Sequence, residues 1–208
     1  MIPRYQKILF GTLLAASLVM GVALWQLRER AHQRMIAGQD AAPTSAPEVA
    51  PAEDATLVVA NDSDSSLLTQ VHSLPLPGDA GARARAVLGK LLDLYAAPDA
   101  AHPVPGGGSS VTQVFLLPAP DSGASPQTGL QLAVVNLTGS FATSHPSGIE
   151  AETLTVLSIC GTLHANLPRV TEVRFLVDGQ PRATLAGHAD LTRTYLTADA
   201  VPAEGTHP

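Results

Sequence analysis

Apolar and polar positions follow three rhythms along this chain, and each predicts a different kind of element. The first is unbroken: Ile8 to Leu27 reads ILFGTLLAASLVMGVALWQL, twenty positions without a charged side chain, with Arg4 and Lys7 before it and Arg28 and Arg30 after it. At about 1.5 Å of rise per residue such a run spans a hydrocarbon core, which predicts one transmembrane anchor behind a short tail at 1–7. Trp25 and Gln26 suit its interfacial end. A cleaved signal peptide, with small residues at Gly21 and Ala23, is the competing reading. The run is long for that, and three arginines follow it closely.

Residues 28–54 then read as a juxtamembrane stub and linker. Gly38 to Asp54 is GQDAAPTSAPEVAPAED, where Pro43, Pro47 and Pro51 interrupt any helix. In extended form, at about 3.1 Å per residue, it reaches roughly 50 Å.

The second and third rhythms, alternation and the 3.6-residue period, fill a domain predicted over 55–197, with a flexible tail at 198–208. TLVVA at 56–60 and LLTQVHSL at 67–74 flank the turn-rich NDSDSS and predict a hairpin. Asp79 is placed to cap a helix over 80–97, where Ala84, Val87, Leu88, Leu91, Leu92 and Tyr95 share one face and Pro98 ends the run. Gly89 costs that helix about 1 kcal/mol against Ala. VTQVFLL at 111–117 and LQLAVVNL at 130–137 predict two more strands. Ser147 and Glu150 have capping-box spacing ahead of a second helix that stops at Pro168. VTEVRFLV at 170–177, Asp178-Gly179 and QPRATLA at 180–186 predict a closing hairpin, because Asp-Gly supplies the positive-φ pair of a type I′ turn. Pro181 cannot donate to a ladder, which puts that last strand at an edge or makes it start late. The order ββαββαββ predicts an α+β fold: a two-layer sandwich in which two helices cover one face of a mixed or mostly antiparallel sheet.

Charge changes the picture once the anchor is set aside. The whole chain carries a formal −6, but Met35 to Pro208 holds seven basic and seventeen acidic residues, near −10. So acidic a body has no footprint for phosphate backbones, which excludes nucleic acid as a partner. The positive-inside rule does not orient the anchor, since basic residues are nearly balanced across it. Cys160 is the one thiol, so no intramolecular disulfide is possible.

Candidate chemistry is thin. Cys160 and His164 stand at i and i+4 on the second helix, yet two ligands are too few for a closed zinc site, and their apolar neighbours favour a core position. His188 and Asp190, alternate residues of an extended segment, could form an oriented base, but no nucleophile-elbow serine or cysteine accompanies them. Gly106, Gly107 and Gly108 lack the Lys-Ser/Thr of a phosphate loop and lead into a strand, so they read as a flexible loop. Asp62 and Asp64 lack the glycine and distal glutamate of a calcium loop. No catalytic, cofactor or metal residue is assigned.

Three segments carry a resemblance: AVVNLTGSF at 133–141, LTVLSICGTLHANLPRVTEVRFLVDGQP at 154–181 and LAGHADL at 185–191. Together, from about Thr56 to Tyr195, they resemble the GerMN domain family of spore germination and related bacterial envelope proteins. The chain departs from the family at Gly161, where Asn is frequent, and in Pro/Gly-rich loops at 98–110 and 118–129. The resemblance implies a non-enzymatic extracytoplasmic domain, related to ring-building folds and used for assembly or interaction, with the anchor's N-terminus inside. The expected function is thus a membrane-tethered interaction domain of the cell envelope, single-pass, with self-association or envelope proteins as partners. The alternatives are a sensor for a small ligand or cell-wall glycan at the loops 98–129, and an envelope hydrolase or transferase using His188, Asp190 or Cys160. The strand at Gln180 to Ala186 is the expected assembly edge.

Overall fold

A computed structural model describes residues 17, 18, 20, 21, 51–119 and 129–200. The chain divides into two units, Met1–Glu48 and Val49–Pro208. In the first, the described residues Ser17, Leu18, Met20 and Gly21 are helical. The remainder of the predicted anchor lies outside the described residues, as does the linker up to Ala50. Among the described residues no helix is long and apolar enough to cross a membrane.

The second unit is α+β. Its elements run β1 (Ala52–Asn61), β2 (Ser66–Pro75), α1 (Ala80–Tyr95), β3 (Val111–Pro118), β4 (Gln131–Leu137), α2 (Gly139–Ser144), α3 (Ile149–Asn166), β5 (Val170–Val177) and β6 (Tyr195–Leu196). Where one sheet is predicted, the chain makes two: an antiparallel β1–β2 ribbon and a four-stranded sheet of order β3-β4-β5-β6. The second sheet is mixed, with β4 and β5 parallel and the outer pairs antiparallel. A parallel pair needs a crossover, and α2 with α3 supplies it.

The ribbon stands alone because the outer edge of β1 is occupied by side chains. Asn166 Oδ1 accepts the Thr56 N–H at 3.0 Å, Thr162 Oγ1 accepts that of Val58 at 2.9 Å, and the Tyr95 hydroxyl accepts that of Ala60 at 2.9 Å. Helix side chains thus take the place of a neighbouring strand, and β1 cannot join the larger sheet.

Helix α1 forms as its pattern predicts. Asp79 accepts the Ala82 N–H at 2.7 Å, and the six apolar residues of the predicted face are the buried ones. The capping box before α3 does not form. Gly148 holds the cap position without a side-chain bond, and its N–H meets Glu152 Oε1 at 3.2 Å instead. Glu150 points the other way, onto Ser65. Helix α3 is buried nearly all round, packed on β1, α1, β5 and a terminal 3-10 turn at Thr197–Ala200, as befits a helix apolar on every side. That turn shows residues predicted as flexible tail packing into the core, with Ala200 fully buried.

The predicted closing hairpin is half right. Asp178 and Gly179 take positive φ, 50° and 75°, and Gln180 bonds Val177 across the turn. The return strand over 180–186 does not form beyond that bridge, and β6 pairs with Glu172 and Val173 instead. Pro181 breaks the ladder, and Asp178 is committed elsewhere: its Oδ1 accepts the Gly139 N–H at 2.8 Å at the start of α2. A Cβ on Gly139 would lie 2.3 Å from that carboxylate, which would have to swing away and loosen this bond.

Candidate functional site

Glu152 organises the last part of the domain. It lies one turn into α3 with no exposed surface, and its two oxygens collect the N–H groups of Ala186, His188 and Ala189 at 3.0, 2.9 and 2.8 Å, the Gly148 N–H, and His188 Nδ1 at 2.9 Å. Burial alone would push this carboxyl up. The Ala186 and Ala189 N–H groups, the His188 ring and the His188 N–H outweigh it and hold the group at about 2. The segment LAGHADL is therefore a backbone cradle folded around one carboxylate, and Leu185 N–H closes it on the Ala189 carbonyl at 3.0 Å.

This arrangement corrects the pairing of His188 with Asp190. Asp190 bonds the Thr192 N–H and hydroxyl at 2.8 and 2.6 Å, and the partner of His188 is Glu152. Ser147 Oγ lies 3.4 Å from the same ring nitrogen, Nδ1, so serine, histidine and carboxylate do meet. They cannot act as a triad, because a relay needs the carboxylate on one imidazole nitrogen and the nucleophile on the other. Here both contacts fall on Nδ1. The geometry supports a structural clasp, not acyl transfer.

A second polar cluster lies inside the domain. His102 is buried, with Nδ1 2.5 Å from Asp62 Oδ1 and Nε2 2.6 Å from Thr155 Oγ1. His145, also buried, places Nε2 2.8 Å from the same hydroxyl and Nδ1 2.8 Å from the Pro146 carbonyl. A carbonyl only accepts, so His145 carries its proton on Nδ1. Burial holds this ring below its ordinary value of 6.5 despite the Pro146 carbonyl, so its Nε2 is bare and faces the Thr155 hydroxyl. Asp62 only accepts, so His102 carries a proton on Nδ1, and the Thr155 hydroxyl, which also donates to the Ala151 carbonyl at 3.1 Å, sits between the two rings. The cluster is an internal strut between the β1–β2 turn, the loop after α1 and α3. Asp62, weighed above as a calcium ligand, belongs to it.

Cys160 and His164 separate. Cys160 is fully buried, which pushes its thiol up, while His164 Nδ1 lies 3.2 Å from both the Val170 carbonyl and the Thr197 hydroxyl. Among the described residues no three His, Cys, Asp or Glu converge as a metal would need. The triple glycine is also not loose: Gly108 N–H donates to Asp93 Oδ1 at 2.6 Å and docks the loop on α1. Sequence reasoning missed Glu152, Thr155, His102 and His145. The two histidines had a local signal, since each stands directly before a proline in a loop, where the backbone is held extended.

The remaining candidate feature is an edge. Thr56, Val58 and Ala60 face away from β2, so their antiparallel partners Val71, Thr69 and Leu67 turn their backbone groups away from β1. Among the described residues nothing pairs with them. Leu68 and Val71 are 48% and 63% exposed, and from Ser66 to Pro75 the strand holds no Asp, Glu, Lys or Arg. The other edges are guarded. The outer side of β3 meets α1, with Arg85 Nε donating to the Val111 carbonyl and the Val114 carbonyl 2.9 Å from where a Gly81 Cβ would sit. β6 is two residues long.

Comparison with known families decides the relationship. The Germane family, described as sporulation and spore germination, matches residues 57–183. The chain belongs to that family. Two of the segments that carried the resemblance, 133–141 and 154–181, meet at Gly139–Asp178, and the third, 185–191, wraps Glu152. Two solved structures are similar to this Germane chain. One holds the tandem GerMN domains of the sporulation protein GerM from Bacillus subtilis: 15% identity, a TM-score of 0.43, and 71% of this chain against 47% of that one, so the chain spans about half its length. The other is a putative lipoprotein from Clostridium perfringens, with 17% identity, a TM-score of 0.37, and coverage of 75% and 95%. No curated protein matches the sequence.

Proposed function

We propose that this Germane domain is a non-catalytic assembly module of the cell envelope, tethered by residues 8–27 and pairing through the outer edge of β2 with a second copy of itself. The observation that supports the reading is the unguarded, charge-free edge of β2. A strand with unpaired N–H and C=O groups is a template for another strand, and natural edges are normally blunted by lysine, proline or a covering element. β1, β3 and β6 are blunted or short. β2 is neither.

A neutral edge offers nothing to a charged partner segment, whereas an antiparallel second β2 is equally neutral and brings no like charges together. The rest of the body is acidic, so pairing is weak in dilute solution. Confinement to one surface raises effective concentration and favours it.

The test is cross-linking of full-length Thr69→Cys in native membranes with a bismaleimide; the buried Cys160 does not compete. A homodimer band is expected, and it should disappear when Val71→Lys places a charge on the edge. Arg174→Cys, on an exposed position of the larger sheet, should give none. Absence of a homodimer from both Thr69→Cys and Val71→Cys, with the fold intact, overturns the proposal.

A further inference from the structure

Beyond Arg34 the chain has seven basic residues against seventeen acidic ones, so unpaired cations that share a concave surface are a departure from the rest of the molecule. Arg85 and Lys90 do share one. The outer side of α1 forms one wall of a groove of about 490 Å³ through Arg85, Ala86, Gly89 and Lys90. Leu74, Pro75, Pro77, Gly108 and Ser109 also line it. This size suits a small organic molecule.

The groove is built by contacts that leave its cations available. Arg85 donates from Nε to the Val111 carbonyl at 3.1 Å, which steers the guanidinium while its two terminal nitrogens have no partner among the described residues. Lys90 is half-buried, its stem against the wall, and its ammonium likewise has no partner there. Their neighbour Arg83, by contrast, is paired with Glu53 at 2.6 Å. The one acid in the lining, Asp93, is turned onto the Gly108 N–H. A Cβ on Gly108 would lie 2.7 Å from the Gly89 carbonyl oxygen. Helix and loop therefore touch backbone to backbone, and no side chain fills the space between.

We propose that this groove binds a small organic anion: one phosphate or carboxylate on an apolar body. The terminal nitrogens of Arg85 take the acid group in a two-point fork, Lys90 adds a second charge, and Leu74, Pro75 and Pro77 receive the apolar part. An acidic body repels anions elsewhere, so the two cations also set the location. The inference goes beyond the assembly reading and does not depend on it, because strand pairing and groove binding are read by different variants.

The experiment is equilibrium dialysis of the full-length chain in phosphatidylcholine nanodiscs against phenyl phosphate, hexyl phosphate and hexanoate, with inorganic phosphate and benzyl alcohol as the two halves of the ligand. At least one amphipathic anion should bind with a Kd below about 1 mM and about tenfold or more tightly than either half. Arg85→Gln with Lys90→Gln should weaken it by about tenfold or more, and Arg85→Lys should weaken it less. Ala86→Trp keeps both cations and fills the groove, so it should also abolish binding; circular dichroism checks each fold. Nanodiscs with phosphatidic acid separate the sources. Competition by that lipid, dependent on Arg85 and Lys90, assigns a lipid headgroup; no competition assigns a soluble acid. Failure of all three anions to bind, an affinity unchanged in the double variant, or benzyl alcohol binding as well as the anions overturns the proposal.

Discussion

Glu152 shows how one side chain can close a domain. It has no exposed surface, so its charge is sustained only by the N–H groups around it, and removing it leaves those donors unpaired inside the protein. Glu152→Ala should therefore cost about 3–5 kcal/mol. Its folded value, about 2, lies below the ordinary 4.5, so as pH falls the unfolded chain takes the proton first. The stability it contributes is complete above 4.5 and is lost between 4.5 and about 2. His145 is also depressed, from 6.5, so its contribution is complete above 6.5 and declines as pH falls below that value. Urea midpoints measured from pH 8 to pH 3 should fall in two steps. His145→Gln should remove the upper step and Glu152→Ala the lower; a profile that both variants leave unchanged contradicts this account. The sequence hid the pairing for a physical reason. An acid in the first turn of a helix reads as a solvent-facing partner of the helix dipole, and nothing local announces that a segment 36 residues on will fold around it.

Among the elements, α1 was legible in its start and in every residue of its buried face because one face is apolar and the other charged, though it ends at Tyr95 and not at 97, while α3 was legible in extent but not in environment. Its small residues are where other backbones pass. A Cβ on Gly161 would meet the Ala200 carbonyl at 2.6 Å and Val58 at 3.1 Å, so this glycine sets how closely α3 approaches β1 and the terminal turn together. Gly161→Ala should destabilise the domain by about 1–3 kcal/mol, because packed backbone must move. Gly89 is the contrast: its added Cβ would lie 3.7 Å from Gly108, so Gly89→Ala should stabilise by about 0.5–1 kcal/mol through helix propensity alone. Denaturant unfolding of the two variants measures both, and a similar sign for the two would show that the close approach at Gly161 is not limiting. The departure at Gly161 that the resemblance pointed to fits this crossing, where a side chain would meet packed backbone. The strand over Gln180–Ala186 was misread because turn chemistry is local and strand pairing is not. Asp178-Gly179 turns the chain as predicted, but the position beside β5 goes to Tyr195–Leu196, a pair too short to signal itself.

For the whole molecule, alternation along the chain revealed the five long strands, with a sixth expected over 180–186 that does not form, but not their division into two sheets. That division depends on Asn166, Thr162 and Tyr95 bonding the outer edge of β1, contacts between residues 35 to 110 positions apart. Its consequence for the proposed assembly is that the open edge lies on β2 near the start of the domain and not at its end. The described domain begins at Pro51 and β2 ends at Pro75, so edge and groove both lie close in sequence to the proposed tether, and a surface-confined partner can reach them without a long search. This role requires the domain and its anchor to sit on opposite sides of one rule: the anchor stays in the bilayer and residues 35–208 lie outside the cytoplasm. A protease added to intact spheroplasts should accordingly trim the body and leave a membrane-bound N-terminal fragment. Complete protection of the body reverses the topology, and release of an untrimmed body without protease shows that residues 1–27 are cleaved, in which case assembly through β2 loses the concentrating effect of the membrane and should be absent.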